Sequence, residues 1–244
     1  ARHRRAGNRR HAAQWDRRTG GAGNVASNIS SLDIITHIIG AIGEDDAADR
    51  IVNILDRKKI SHDLFVNEKS KTIRKLRAIT GSHQLLRIDT EGNFKNNNNI
   101  SSFLLNSIKQ YENLKVIICS DYAKGMLENI EEVIDYANNN NIMTIVDPKG
   151  SNFNKYKNAT LLTPNLKEFE AVAGKCSNLS DLETKAISLR NDLNLKALLV
   201  TRGKDGMSLF EKDIAPFHLQ ASAKEVSDVT GAGDTVISVI GNHH

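Results

Sequence analysis

The second half of the chain alternates between continuously apolar segments and helical ones. The segment Val116-Ile117-Ile118-Cys119-Ser120 is typical of a strand that is buried on both faces of a parallel sheet. The predicted strands are 116–120, 143–147, 159–163 and 197–201, and the predicted helices are 100–111, 127–138, one after Pro164, and 181–193. This alternation predicts an α/β fold with a mainly parallel central sheet and helices on both faces.

The first half of the chain has shorter and less regular segments. Residues 33–40 form an apolar run that predicts a buried strand, and residues 44–58 begin with acids and end with bases, which favours a helix. Residues 71–80 and 84–89 alternate in polarity like two strands of a small sheet, joined by Gly81-Ser82. The sequence therefore predicts a small β unit before the main sheet.

Polar side chains follow the predicted strands of the second half. Ser120-Asp121-Tyr122-Ala123-Lys124-Gly125 follows one strand, and Asp147-Pro148-Lys149-Gly150 follows the next. Thr163-Pro164-Asn165-Leu166-Lys167-Glu168 and Thr201-Arg202-Gly203 follow the other two. Since ligands of α/β proteins bind at the carboxyl ends of parallel strands, we expect a shared site at this edge, where Lys124 and Lys149 are candidate point charges for phosphate.

Asn165 and Glu168 are three residues apart at a predicted helix start. This spacing places both side chains on one face, where they could hold a hydrated Mg²⁺ and nucleotide phosphates. Taken alone, the pair fits a helix-capping arrangement better. The order of polar segments at successive strand ends favours the shared site.

Length and composition are those of one reduced α/β domain. The 244 residues suffice for a large core, and the two cysteines, Cys119 and Cys176, have no metal or redox spacing. No apolar stretch reaches the roughly 18 residues of a membrane span, and no apolar signal segment is present at the N-terminus. We expect a cytoplasmic protein.

The basic charge is concentrated in an arginine-rich arm. Residues 1–18 contain seven arginines and one acid, and the remaining chain has 26 basic and 28 acidic residues. An arginine-rich arm can bind nucleic acid, but this one has a single aromatic residue, Trp15, and no basic face to continue it. A disordered leader over residues 1–19 is the better interpretation, so nucleic acid is an unexpected partner.

Two glycine-rich runs carry candidate chemistry. Gly21-Ala22-Gly23-Asn24-Val25-Ala26 formally matches the dinucleotide fingerprint, but no strand precedes it, which disfavours a Rossmann dehydrogenase. Near the C-terminus, Asp228-Val229-Thr230-Gly231-Ala232-Gly233-Asp234 precedes an apolar run that could begin a helix. Glycines let backbone N–H groups approach an anion, and a helix N-terminus adds positive charge, so a phosphate site competes there with an ordinary glycine turn.

The C-terminal run resembles the second signature of the PfkB (ribokinase-like) carbohydrate kinases, a pattern close to D-T-x-G-A-G-D. Residues 20–26, followed by Ile39-Gly40-Ala41-Ile42-Gly43-Glu44-Asp45, resemble the first signature of the same family. Both occur in the family's order. The resemblance implies a ribokinase-like fold with a small β lid, here near residues 62–90, over a sugar.

The resemblance also implies roles for individual residues. Asp234 would accept the proton of the sugar hydroxyl, while the backbone of Gly231, Ala232 and Gly233 stabilises charge on the transferring phosphoryl group. The implied ATP and Mg²⁺ site comprises Asn165, Leu166, Lys167, Glu168, Thr201, Gly203 and Asp228, with Glu168 reaching the metal through water. The implied sugar site comprises Gly20, Gly21, Asn24, Arg74, Arg87, Asp121, Lys124 and Lys149. Arg77 is a further lid candidate, and for each lid arginine a solvated strand face is an equal alternative.

Several segments narrow the resemblance to the kinase domain of the bifunctional heptose-phosphate kinases/adenylyltransferases of lipopolysaccharide synthesis. They are S-D-Y-A-K-G, D-P-K-G, A-T-L-L-T-P-N-L-x-E-F-E, L-L-V-T-R and E-V-x-D-V-T-G-A-G-D-T-V. The resemblance implies ATP-dependent phosphorylation of D-glycero-β-D-manno-heptose 7-phosphate at its anomeric hydroxyl, and a homodimer formed through the lid. Another sugar or nucleoside kinase of this family, and a non-catalytic binding module, are the alternatives.

The chain departs from the family pattern at both ends. The arginine-rich arm stands where the family has its first strand, and the chain stops at His244, before elements that close the adenine pocket. No HxGH nucleotidyl-transfer motif is present. We therefore expect residues 20–244 to form a PfkB-type kinase domain that is truncated at both ends, with a central sheet that lacks a strand.

Overall fold

The computed structural model describes residues 19–80, 83–95 and 98–221. Its helices are α1 (Ala22–Ser30), α2 (Asp46–Arg57), α3 (Asn98–Ile108), α4 (Ile130–Asn139), α5 (Leu166–Ala173) and α6 (Leu179–Asp192). Its strands are β1 (His37–Ile42), β2 (Ser61–Val66), β3 (Arg74–Thr80), β4 (His83–Thr90), β5 (Val116–Ser120), β6 (Met143–Asp147), β7 (Leu161–Leu162), β8 (Ala197–Thr201), β9 (Met207–Glu211) and β10 (Phe217–Leu219). The arginine-rich arm and the C-terminal glycine run lie outside the described residues.

The central sheet has six strands in the order β10-β9-β8-β7-β6-β5. Strands β5 to β8 are parallel, whereas β9 pairs antiparallel with β8 and β10 antiparallel with β9. Three of the parallel strands have the predicted bounds 116–120, 143–147 and 197–201, while the strand predicted at 159–163 is shorter. The predicted mainly parallel sheet is confirmed, and the antiparallel pair at its edge was not predicted.

Both faces of this sheet are covered. Successive residues of a strand point to opposite faces, so Ile145 packs with Val25 and Ile29 of α1, while the adjacent Val146 packs on the other side. That second face is covered by apolar residues of α3 to α6, among them Ile134, Phe169 and Leu182. Burial on two faces explains why the strands are apolar at consecutive positions.

The residues before the central sheet form two smaller sheets. Strands β1 and β2 are parallel and pair His37 with Ser61 and Ile42 with Val66, and α2 packs against them through Leu55. The strand predicted at 33–40 begins later than expected, because residues 33–36 form a turn and a link in which Ile35 is fully exposed. The helix predicted at 44–58 is confirmed as α2.

Strands β3 and β4 form an antiparallel pair with a register shift between Ala78 and Ile79. Since directly opposed residues share a face, Lys75 and Arg77 lie on the same face as Arg87 and Asp89. Arg74 lies on the opposite face with the apolar residues Leu76, Ala78, Leu86 and Ile88. The three arginines suggested by the sequence therefore do not share a face.

Within the described ranges, no helix is both long and apolar enough to span a lipid bilayer.

Candidate functional site

The carboxyl ends of the parallel strands are joined to one another by hydrogen bonds. The Asp121 N–H after β5 donates to the Asp147 carbonyl at the end of β6, at 3.0 Å. The Thr201 N–H at the end of β8 donates to the Pro164 carbonyl, also at 3.0 Å, and Asn165 forms a bridge with Thr201. The structure therefore brings the polar strand-end segments to one edge, as the sequence predicted.

Asn165 and Glu168 form a capping box at the start of α5. The Glu168 N–H donates to Asn165 Oδ1 at 3.0 Å, and the Asn165 N–H donates to Glu168 Oε2 at 3.2 Å. Lys149 Nζ binds the other Glu168 oxygen at 2.8 Å, and this hydrogen bond raises the pKa of Lys149 above its usual value. The capping arrangement is thus present, and it fixes the Glu168 carboxylate beside a lysine.

A groove of about 440 Å³ lies beside this pair. It is lined by Lys149, Gly150, Ser151, Asn165, Lys167, Glu168 and Ala171. No cluster of three or more His, Cys, Asp or Glu side chains able to hold a metal occurs among the described residues. An ionised carboxylate has about four acceptor positions, so Glu168, with two of them used, retains capacity for water molecules of a hydrated Mg²⁺. The residues fit a water-mediated contact with the metal.

Asp121 is turned into the protein. Its carboxylate accepts hydrogen bonds from Tyr156 Oη at 2.7 Å, from Lys155 Nζ at 2.5 Å and from the Ala123 N–H at 2.7 Å. The Lys149 N–H donates to Tyr156 Oη at 3.1 Å, so this tyrosine joins the ends of β5 and β6. Burial, together with the neighbouring Asp121, raises the pKa of Tyr156, which remains a neutral donor. This geometry suits a positioning role for Asp121 better than direct contact with a sugar.

The glycine turn before α1 packs against this edge. Gly21 has φ +51°, in the left-handed region that favours glycine, and a Cβ there would lie 2.8 Å from the ring of Tyr122. Nothing lies within 4 Å of a Cβ built on Gly20, which is exposed, and Asn24 is half-buried in the first turn of α1. The predicted sugar segment and the end of β5 are therefore neighbours.

Lys124 also approaches the base of the β3–β4 pair. Its Nζ forms an ion pair with Glu91, just after β4, and a Cβ on Gly125 would collide with the Phe94 backbone at 2.3 Å. Lys75 Nζ of β3 lies 5.8 Å from the centre of the Tyr122 ring. The loop after β5 thus contacts the glycine turn, the strand pair and the segment that follows it.

The residues of the first family signature hold the base of β3. The Thr72 N–H donates to Asp45 Oδ2 at 3.0 Å, and the Gly43 N–H donates to Thr72 Oγ1 at 2.9 Å. Asp45 also caps α2 by accepting from the N–H groups of Ala47 and Ala48. Burial raises the pKa of Asp45, but the hydrogen bonds from Thr72, Ala48 and Ala47 outweigh it and leave the pKa below its usual value.

Sequence reasoning missed the roles of five residues: Asp45, Lys75, Tyr122, Lys155 and Tyr156. The aspartate was visible as a helix N-cap before Ala47 and Ala48, and Tyr122 was visible as an aromatic residue at a strand end. The other three depend on contacts between distant segments, which no local pattern reports. Cys119, in contrast, is buried as its apolar run suggests, and burial raises the pKa of its thiol to about 12.

Part of the predicted site lies outside the described residues. The residues concerned are Asp228, Gly231, Ala232, Gly233 and Asp234, and their predicted roles stay predictions. Among the remaining predicted residues, Asn165, Glu168, Lys149, Asp121 and Thr201 share the edge of the sheet. Arg87 is paired on its own strand with Asp89, at 2.5 Å, and Arg74 lies on the other face of the strand pair.

A family model for the pfkB family carbohydrate kinases matches residues 1–242. Among curated proteins, the bifunctional protein HldE of Histophilus somni is 46% identical over 226 residues, covering 92% of this chain and 47% of the relative. The chain therefore spans about half the length of the curated relatives it matches.

Solved structures show the same fold. Phosphofructokinase-2 from Escherichia coli, in complex with substrates and products, superposes with a TM-score of 0.75 at 21% identity, covering 91% of this chain and 73% of that one. Ribokinase from Giardia lamblia gives a TM-score of 0.71 at 20% identity and covers 90% and 71%. The fold is ribokinase-like, and the family match over nearly the whole sequence establishes that the chain belongs to the PfkB family of carbohydrate kinases.

Proposed function

We propose that this chain transfers the γ-phosphoryl group of ATP to the anomeric hydroxyl of D-glycero-β-D-manno-heptose 7-phosphate and forms the 1,7-bisphosphate. The proposal places the chain in the supply of ADP-heptose for lipopolysaccharide cores. The observation that carries it is the 46% identity to a bifunctional HldE protein over 92% of the chain. The strand-end segments that resemble the heptose-phosphate kinases lie together at one edge of the sheet, which supports the same assignment.

The groove beside Asn165 and Glu168 is the candidate nucleotide site. Its size fits a nucleotide, and Lys149 and Lys167 supply positive charge along its wall. A Mg²⁺ bound with ATP would neutralise phosphate charge, and Glu168 would hold it through water. Lys149 keeps the Glu168 carboxylate in one orientation through their 2.8 Å ion pair.

The sugar would bind between the glycine turn and the loop after β5. Gly20 leaves room for sugar hydroxyls close to the backbone, the neighbouring Gly21 lets the Tyr122 ring pack against the turn, and Asn24 offers both a donor and an acceptor. Asp234 would then accept the proton of the attacking hydroxyl, and the backbone N–H groups of residues 231–233 would stabilise charge on the transferring group. Asp121 would position this loop through Tyr156 and Lys155.

The test of the sugar is ADP release by the purified chain with Mg-ATP and one of several acceptors. The panel comprises heptose 7-phosphate, fructose 6-phosphate, ribose, a nucleoside and no acceptor. The proposal expects turnover with the heptose phosphate far above every other acceptor. Preference for another acceptor would assign the chain to a different sugar or nucleoside kinase. No turnover from folded protein would favour a non-catalytic binding module.

The test of the base is Asp234→Asn, which keeps size and removes the acceptor charge. We expect turnover to fall by orders of magnitude, since general-base catalysis contributes about 10²- to 10⁴-fold, while the melting temperature stays that of the wild type. Unchanged turnover in a folded variant would refute this role.

The same proposal places the chain in the cytoplasm as a homodimer that pairs through the β3–β4 strands. Four apolar side chains on one face of that pair support it, two of which, Leu86 and Ile88, are about half exposed. An E. coli phosphofructokinase-2 has been solved in a form described as tetrameric and inhibited, so oligomers occur within this fold. Sedimentation of the wild type and of Leu86→Glu would distinguish a dimer through this face from a monomer.

A further inference from the structure

We propose that Lys75 binds the phosphate group of the phosphorylated sugar and that the ring of Tyr122 holds the lysine side chain in position. Nothing in the family signatures assigns a role to either residue. The inference deepens the function proposed above and rests on it, because it requires a phosphorylated sugar as the substrate.

The Lys75 ammonium group lies beside the edge of the central sheet. Lys75 Nζ lies 5.8 Å from the centre of the Tyr122 ring, and that ring packs over Gly21 at the start of α1. The lysine therefore reaches from β3 to the part of the sheet edge where the glycine turn and the loop after β5 meet.

Lys75 differs in its charge partners from the other cations near this edge. Several cations near the edge are matched by fixed carboxylates: Lys124 by Glu91, Lys149 by Glu168, Lys155 by Asp121, and Arg87 by Asp89. Lys75 forms no ion pair within the part of the chain that the structure describes, and its cross-strand neighbour Asp89 is bound by Arg87. Lys75 interacts electrostatically with Asp89, as Arg77 also does, but Arg87 holds that carboxylate by hydrogen bonds. Lys75 therefore attracts an incoming phosphate more strongly than a cation in a close ion pair does.

The ring of Tyr122 lies next to the Lys75 ammonium group. An ammonium group close to the face of a tyrosine ring is attracted by the ring's quadrupole without being neutralised. The side chain of Lys75 thus loses less conformational freedom when an anion binds, which favours affinity. Since Tyr122 is 41% exposed, a ligand can approach the lysine beside it.

The experiment measures the dissociation constant of heptose 7-phosphate by calorimetry, which needs no turnover. We compare the wild type with Lys75→Met, which keeps the length of the side chain and removes its charge. The matched control is Lys69→Met, which removes one positive charge from an exposed position before β3. A hydrogen bond to a charged group corresponds to about 10- to 100-fold in affinity, so we expect Lys75→Met to weaken binding by this factor and Lys69→Met to leave it unchanged.

Three further readouts separate phosphate recognition from a structural role. The melting temperature, the KM for ATP and the affinity for the dephosphorylated heptose should be equal in Lys75→Met and the wild type. Tyr122→Phe should bind heptose 7-phosphate like the wild type, because it keeps the ring. Tyr122→Ala should weaken binding, and it should do so less in the Lys75→Met background, with a coupling of about two- to five-fold.

The outcomes separate the two proposals. Wild-type protein that binds heptose 7-phosphate while Lys75→Met binds it as tightly as Lys69→Met would overturn the role of Lys75 and leave the proposed function intact. An equal loss of affinity for the phosphorylated and the dephosphorylated heptose would also overturn phosphate recognition by Lys75. Wild-type protein that binds no phosphorylated sugar would overturn both proposals.

Discussion

Two regions of the molecule carry charges close to the candidate site, and they differ in how those charges are held. At the carboxyl edge of the central sheet, Asp121 is 4% exposed and is bound by Tyr156, which is fully buried, and by Lys155. In the β3–β4 pair, nearly every described side chain is exposed, and Arg87 forms an ion pair with its strand neighbour Asp89.

The difference separates two ways in which a protein presents charge to a ligand. Buried, hydrogen-bonded charges at the sheet edge are fixed before a ligand arrives, and their removal leaves polar groups without partners inside the protein. Exposed charges on the strand pair keep their freedom and contribute little to folding. We therefore expect substitutions at the sheet edge to affect stability first and those on the strand pair to affect binding first.

The largest effect on stability is expected from Asp121→Ala. The change removes the buried carboxylate that pairs with the Lys155 ammonium and leaves the Tyr156 hydroxyl only its longer bond to the Lys149 carbonyl, which should lower the free energy of unfolding by about 3 kcal/mol. Urea denaturation at neutral pH measures the change. Asp135→Ala, on the exposed face of α4, is the control and should cost less than about 0.5 kcal/mol. An equal loss in the free energy of unfolding for the two variants would contradict the conclusion that the charges at the sheet edge are fixed by buried contacts.

Asp45→Ala tests the point where the strand pair is anchored. The variant loses the cap of α2 and the bond to the Thr72 N–H, so we expect a loss of about 1–2 kcal/mol in the free energy of unfolding. Asp46→Ala removes an exposed carboxylate from the same helical turn and should cost less than about 0.5 kcal/mol. An equal loss in the free energy of unfolding for the two variants would contradict the anchoring role of Asp45.

The contribution of Asp45 to stability should depend on pH. Because the pKa of Asp45 is lower in the folded than in the unfolded protein, its contribution to stability is present above the unfolded value of about 3.8. That contribution is lost as the pH falls from there through the lowered pKa of the folded state. Unfolding of the wild type and of Asp45→Asn should therefore differ more at pH 6 than at pH 3, and a constant difference would contradict this linkage.

Asn165→Ala tests whether the capping box at the start of α5 supports ATP binding as well as helix stability. We expect a loss of about 1 kcal/mol in the free energy of unfolding, because the Glu168 backbone N–H loses its acceptor, Asn165 Oδ1. We also expect a several-fold rise in the KM for ATP, because the first turn of α5, which carries the Glu168 carboxylate, is then held less firmly. Asn178→Ala removes a side-chain cap from α6 at a residue that does not line the groove, and it should cost similar stability with an unchanged KM. A rise in KM for both variants would show that general destabilisation, rather than the site, is responsible.

The smallest effect on stability is expected from Arg87→Met. Both residues of the Arg87–Asp89 pair are exposed, so the melting temperature should not change measurably. The variant releases the Asp89 carboxylate, whose pKa the hydrogen bond from Arg87 holds below its usual value, opposite Lys75. Binding of heptose 7-phosphate should weaken a few-fold, and Asp89→Asn should restore it. A large fall in the melting temperature would contradict the comparison between the two regions.

The sequence predicted best those elements whose environment is uniform. Strands β5, β6 and β8 are buried on two faces, so their apolar runs begin and end with the strands themselves. The short edge strand β10 leaves Phe217 and Leu219 exposed and has no such run. The run at 33–40 extended too far because Ile34 and Ile35 are apolar but lie in a link rather than a strand.

The residues of the candidate site also differ in how well the sequence predicted them. Asn165, Glu168 and Lys149 follow predicted strands, so the topology alone places them at one edge. Lys75, Tyr122 and Tyr156 act through contacts between segments far apart in sequence, and no local pattern distinguishes them from solvated residues. The sequence suggested the lid arginines because of their charge. In the structure, the cation next to the Tyr122 ring is Lys75.

The most direct test of the account is the position of the transferred phosphate. Phosphorus NMR of a reaction containing the chain, Mg-ATP and heptose 7-phosphate distinguishes an anomeric phosphate from any other phosphate ester of the sugar. The account predicts that ADP and a 1,7-bisphosphate accumulate in equal amounts. Phosphate on another hydroxyl, or ADP with free inorganic phosphate and unchanged sugar, would contradict it.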